Sequence, residues 1–184
     1  MKYIVYNDVH IGAPHEMPEL IPFDEDAILN GDIVDYQNCK KSERGIHLAL
    51  IVILKREYGD KYILGNHELE AVNCKGFYKT NGILFRHGDW EFWGEEKRVK
   101  YMAKANPGAG WIKRNLIARQ FDWLRRLWSA RYSEEFLMRA AVSAVDSGCH
   151  TIVFGHKHPR KKADFKYAGI RIIVLPRGRN EIEL

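Results

Sequence analysis

Cysteine is scarce in this 184-residue chain. Cys39, Cys74 and Cys149 come to an odd number and form no C-x-x-C pair and no zinc-like spacing. Free thiols in a reducing, cytoplasmic setting are the expectation. Long apolar runs are missing too. The longest, Leu48 to Leu54, is far too short to cross a bilayer, which leaves only peripheral contact with a membrane open. The first residues, Met1 to Asp8, meet a charge too early for a signal peptide. Internal repeats and low-complexity tracts are absent. Of the six prolines, Pro14, Pro18 and Pro22 crowd into the stretch from Gly12 to Asp26, where they exclude a long helix.

What remains is the composition of a soluble globular protein, expected as a single domain over 1–184. Its net charge of +5 is unevenly spread. Residues 94–132 hold ten Lys/Arg against three acids, so the rest of the chain is net negative. All five tryptophans fall between Trp90 and Trp128. In the same region Ile112, Leu116, Phe121, Leu124, Leu127 and Trp128 recur with helical period, and Asn106 to Gly110 breaks the pattern into two pieces. Residues 90–132 therefore read as a helical insertion with an apolar packing face and a basic wet face.

Outside it, short apolar runs alternate with turns. Lys2–Tyr6, Ala27–Leu29, Tyr62–Leu64, Ile83–Phe85 and Thr151–Phe154 read as strands, the fourth entered through an Asn81-Gly82 turn. Ser42–Tyr58 reads as a helix capped by Ser42 and stopped by Gly59, and Ser133–Ser147 as another followed by Gly148. Phe165–Leu175 reads as a hairpin turning at Ala168-Gly169. The end of the chain, with Arg177 and Arg179, reads as a solvated tail.

Each of the five strands is followed at once by groups suited to chemistry. They deliver Asp8 and His10, Asp32 and Asp35, Asn66 and His67, His87 and Asp89, and His156 and His158. Ligand sites in α/β sheets gather at the carboxyl ends of strands. Carboxylate, imidazole and amide oxygen together suit Mn²⁺, Fe²⁺, Co²⁺, Ni²⁺ or Zn²⁺. They are too many for one ion, and a carboxylate can bridge two; a metal pair about 3.5–4 Å apart would clamp a phosphate for in-line attack by a hydroxide held between the ions. His15, His47 and His150 have no such setting and read as structural or surface residues.

In order along the chain, Asp8-x-His10, Gly31-Asp32-x-x-Asp35, Gly65-Asn66-His67-Glu68, His87-Gly88-Asp89 and Gly155-His156-x-His158 resemble the five signature blocks of the calcineurin-like metallophosphoesterases. The resemblance implies an α/β fold, a four-layer α/β/β/α sandwich; it skips residues 90–132, which are expected to form a helical cap inserted in the domain. It implies two divalent metal ions, Mn²⁺ foremost. Asp8, His10, Asp32 and His158 would hold one, and Asp32 (bridging), Asn66, His87 and His156 the other. His67 would contact the phosphate and assist the leaving oxygen, with Glu68 steadying it. Asp35 and Asp89 would support the ligands from behind. Glu68 stands where the family commonly has Asp. The Pro-broken stretch after His10 replaces a helix, and Leu175 to Arg179 does not follow the family's usual ending.

The expected activity is phosphodiester hydrolysis. Nucleic acid or nucleotide leads among substrates, because a basic, Trp-bearing insertion supplies cations for phosphates and rings for bases. Two alternatives stand beside it. One is a nucleotide-linked lipid pyrophosphatase like the UDP-2,3-diacylglucosamine hydrolases. The other is a non-catalytic metal-binding scaffold of the same fold.

Overall fold

The computed structural model describes residues 1–12, 22–68, 76–104 and 132–184. Two sheets carry the site. In the first, β1 (Lys2–Asn7) lies parallel to β2 (Ile28–Asn30), which lies parallel to β3 (Tyr62–Ile63). In the second, β4 (Phe77–Thr80) pairs antiparallel with β5 (Ile83–Arg86), and β5, β6 (Thr151–Phe154) and β8 (Ile170–Val174) run parallel. The edge strand β7 (Ala163–Tyr167) closes this sheet as the antiparallel partner of β8.

The inner strands β2, β5, β6 and β8 are apolar at most positions because both of their faces are covered. Side chains alternate across a strand, and here each alternate set reaches a different core. Tyr6, Leu29 and Tyr62 pack with Leu50, Ile51, Leu54 and Tyr58 of helix α1 (Arg44–Tyr58). Leu84, Ile152, Phe154 and Ile172 pack with Phe136, Ala140 and Ala144 of a helix over Glu134–Asp146. The intervening residues Val5, Ile28 and Ile63 of the first sheet meet Ile83, Phe85, Val153 and Ile173 of the second in a third cluster. Truncating a side chain as deeply buried as Phe85 to Ala costs about 3–5 kcal/mol.

The five expected strands and both expected helices are present. Ser133 caps the Glu134–Asp146 helix, its Oγ accepting from the Phe136 amide at 3.2 Å. Gly59 ends α1 at φ 56°. The start of α1 differs from expectation. Ser42 lies inside a 3-10 turn (Lys41–Glu43), and Glu43, at the cap position, makes no side-chain capping bond. Both hairpin turns form as read, with Asn81-Gly82 and Ala168-Gly169 all at positive φ.

The C-terminal end is not a solvated tail. Gly178–Glu183 forms β9, which pairs antiparallel along the whole of β1. Arg179 pairs with Asp24 and Glu181. Part of the expected insertion is helical: α2 (Asp89–Trp93) and α3 (Glu95–Lys104). Residues 105–131, including the remaining expected helices, and the proline stretch 13–21 lie outside the described residues, as does Cys74. Cys39 and Cys149 are free and buried. No helix among the described residues is long and apolar enough to cross a membrane.

Candidate metal centre

The parallel strands β1, β2, β3, β5 and β6 all deliver their chemical residues at their carboxyl ends. The exits are sharp. Among the described residues seven non-glycine positions have positive φ, and five of them are Asp8, His10, Asp32, His156 and His158. The other two are the hairpin residues Asn81 and Ala168. A non-glycine residue in this conformation costs on the order of 1–3 kcal/mol and persists where its surroundings over-determine it. Two glycines clear the space these turns need. A side chain at Gly65 would overlap the amide nitrogen and carboxylate of Asp32, and one at Gly155 would overlap the amide of Asn7.

Asp8 and Asp32 are positioned by the same device. The His156 backbone N–H donates to Asp8 Oδ2 at 2.8 Å, and the His67 backbone N–H donates to Asp32 Oδ1 at 2.8 Å. Each carboxylate thus has one oxygen fixed by another motif's backbone and the other turned toward imidazoles. Asp8 Oδ1 is buried and accepts no hydrogen bond, with His158 Nε2 3.0 Å away. Asp32 Oδ2 lies 3.3 Å from His87 Nε2. Around that same His87 nitrogen stand Asn66 Oδ1 and His156 Nδ1, each at 3.0 Å.

These separations pass a simple test of fit. Adjacent ligands about 2.1 Å from one ion in octahedral geometry are about 3.0 Å apart. Asp8, His10 and His158 form one group able to hold a cation, and Asp32, His87 and His156 form a second. Asp32 also groups with His10 and His67, so it stands between the two. All seven expected ligands therefore come together.

The electrostatics of the centre divide its histidines. Burial lowers the His10 imidazole to about 4 against the pull of Asp32. Burial, then the His87 charge, holds His156 well below its ordinary value. Both are neutral, the form that ligates. Burial would also lower His87, but Asp32 and then Asp8 override it and push it up to about 10, with Asp89 adding to the effect from the first turn of α2. Asp32 is held well below the usual carboxylate range: burial opposes this, and His87 and His67 prevail.

His67 follows a different pattern. Its burial favours the neutral form, yet Asp32 and a hydrogen bond to Asp35 raise it to about 9. Its Nδ1 lies 2.7 Å from Asp35 Oδ1. The partner expected from sequence, Glu68, is engaged elsewhere. Its Oε1 accepts from the Val34 amide and the Tyr62 hydroxyl, both at 2.7 Å, and its Oε2 from the Gly65 amide at 3.1 Å. Burial and then Asp32 raise its carboxyl to about 7, against the pull of these donors. Glu68 ties the turn to β3 and to the Asp32 loop; Asp35 is what touches His67.

Three neighbours were not read from the sequence. Asn38 Nδ2 lies 2.9 Å from Asp35 Oδ1 and 3.1 Å from His67 Nδ1; an Asn three residues after an Asp is an Asx-turn signal that could have found it. The Trp93 ring packs edge-on to His156 at 4.5 Å between centroids. Asn7, buried beneath Gly155, donates to the Leu175 carbonyl at 3.3 Å and so ties the first exit to the loop before β9. No local pattern marks either of the last two. His47, expected to be structural, is buried on α1 with its Nδ1 2.9 Å from the Glu43 carbonyl.

Comparison with known proteins adds one match. The family model of the calcineurin-like phosphoesterases covers residues 1–160, which include every residue of the centre. The curated proteins contain no match to the chain.

Proposed function

Because the chain belongs to the calcineurin-like phosphoesterase family, we propose that it is a dinuclear metal-dependent phosphodiesterase. The observation that carries this reading is Asp32, which lies within ligand distance of His10 on one side and of His87 and His156 on the other. Asp8, His10, Asp32 and His158 would hold one divalent ion and Asp32, Asn66, His87 and His156 the second, Mn²⁺ being the first choice. The three apolar clusters, helix to sheet, sheet to sheet and sheet to helix, are those a four-layer α/β/β/α order requires.

When bound, such ions supply Lewis-acid stabilisation of charge on phosphoryl oxygens and acidify water. The chain supplies the rest. Asp35 accepts from Nδ1 of His67, which orients the ring and, after Asp32, favours its protonated form. His67 then stabilises negative charge on the departing oxygen and donates a proton to it from Nε2. Gly65 and Gly155 let the loops close tightly enough to fix both carboxylates. Nucleic acid or nucleotide is the substrate class favoured by the charge of residues 94–132. The free thiols fit a cytoplasmic setting.

The test is hydrolysis of bis-p-nitrophenyl phosphate with Mn²⁺, abolished by EDTA and restored by added metal. A protein that binds Mn²⁺, Fe²⁺, Co²⁺, Ni²⁺ or Zn²⁺ but turns over no phosphoester with any of them is a scaffold, and the hydrolase reading fails.

A further inference from the structure

We propose that the loop Lys157–Lys162, with Arg177 beside it, is a track for the phosphate backbone of a single-stranded nucleic acid entering the metal centre. The inference rests on the phosphodiesterase reading and names its substrate.

The loop leaves β6 through the ligands His156 and His158 and continues Pro159-Arg160-Lys161-Lys162 into β7. Arg160, Lys161 and Lys162 are exposed, and none is ion-paired with a described residue. No acid occurs between Gly155 and Ala163. The next one, Asp164, has both carboxylate oxygens engaged by Arg171, at 3.1 and 2.8 Å, and feels Lys162 only as a weaker, unbonded charge. The segment before β9 leaves the same end of the same sheet, since the Leu175 amide donates to the Phe154 carbonyl at 2.8 Å. Its Arg177 is exposed, and Nη2 donates at 2.7 Å to the carbonyl of Val9, between the ligands Asp8 and His10. This cation is therefore fixed at the edge of the centre. His158, which lies 3.0 Å from Asp8, is open to solvent, its side chain 44% exposed.

The four exposed cations Arg160, Lys161, Lys162 and Arg177 exceed what one phosphodiester needs; a field of this extent suits a polyanion. A nucleic acid is favoured over an anionic membrane by what accompanies the charge. Residues 157–162 contain no large apolar side chain to enter a lipid surface. Beside His156 stands the half-buried Trp93 ring, 4.5 Å away between centroids, while the neighbouring Phe92 is stacked on Phe136 at 4.1 Å and packs against the core. A ring close to a run of cations is what strand-tracking proteins use to stack a base and hold phosphates.

The test replaces Arg160, Lys161 and Lys162 together by Ala; all three are exposed and lie outside the ligand set. Binding of a fluorescein-labelled single-stranded oligonucleotide of about twenty nucleotides is followed by anisotropy in EDTA, so that no cleavage intervenes. Over about 50–300 mM salt, the slope of log affinity against log salt flattens by about 2 in the variant, at about 0.7 for each phosphate that is no longer neutralised. Turnover of bis-p-nitrophenyl phosphate with Mn²⁺ stays within about twofold of the parent. An unchanged salt slope overturns the track, and so does an equal fall in small-diester turnover. Binding of the parent to phosphatidylglycerol vesicles but not to the oligonucleotide overturns it in favour of a lipid surface. Salt-dependent oligonucleotide binding by a parent that hydrolyses no diester supports the track and sinks the hydrolase reading instead.

Discussion

Asp35 Oδ1 lies 2.7 Å from Nδ1 of His67, and Asn38 Nδ2 donates to both oxygens of the same carboxylate. This pairing leaves Nε2 of His67 as the nitrogen that would face a phosphate in the proposed reaction, and it favours the protonated ring.

The consequence is a pH dependence with a definite sign. His67 is raised, to about 9 in the metal-free centre, so its acid form is present at neutral pH and is lost as pH rises. Cations at Asp32 weaken that carboxylate's pull, which places the alkaline limb of kcat below 9 in the loaded enzyme. Asp35→Asn removes the hydrogen-bonding charge. We expect kcat to fall by about 10–100-fold and the alkaline limb to move to lower pH, read from pH profiles with Mn²⁺. A limb that stays in place would show that Asp35 does not govern His67.

His67→Ala separates acid from ligand. His67 lies in a possible ligand group with His10 and Asp32, so the question is open to measurement. The expected result is loss of about 10²–10⁴-fold in activity with the metal content of the parent. Loss of an equivalent of metal would make His67 a ligand.

The centre was legible in the sequence because its residues must sit where strands end. A strand exit is a local event, marked by an apolar run, a glycine and then a ligand, as at Gly31-Asp32 and Gly155-His156. What was not legible depends on distant partners. β9 reads Gly-Arg-Asn-Glu-Ile-Glu, with only Ile182 buried; its partner β1 lies at the other end of the chain. Asp35 and Glu68 changed places for the same reason. Glu68 is adjacent to His67 in sequence but faces the far side of the turn, whereas Asp35 reaches it from 32 residues away.

Metal uptake should release a proton. In the metal-free centre His87 is pushed up to about 10 by Asp32 and Asp8 against its burial, and a protonated imidazole cannot ligate. Near pH 7.5 at least about one proton per centre leaves on loading, from His87 and from any water the ions acidify, and affinity rises at least about tenfold per pH unit while His87 remains protonated in the free protein. Calorimetry in two buffers of different ionisation enthalpy measures the release. Zero release would mean that His87 is neutral before the metal arrives.

Glu68 gives the sharpest contrast with Asp35. Its two oxygens accept from Val34, Tyr62 and Gly65, and Gln offers one oxygen and an amide that must face a donor. A buried donor left unpaired costs about 1–3 kcal/mol, so Glu68→Gln should lower the stability measured by denaturation in EDTA by that amount. The turn it fixes also carries the His67 amide that holds Asp32, so metal affinity should fall with stability. The alkaline limb of kcat, measured at saturating Mn²⁺, should nevertheless stay where the parent has it, because Glu68 does not touch the His67 ring. If instead the limb moves as far as in Asp35→Asn, Glu68 acts on the acid directly and the division of labour between the two carboxylates is wrong.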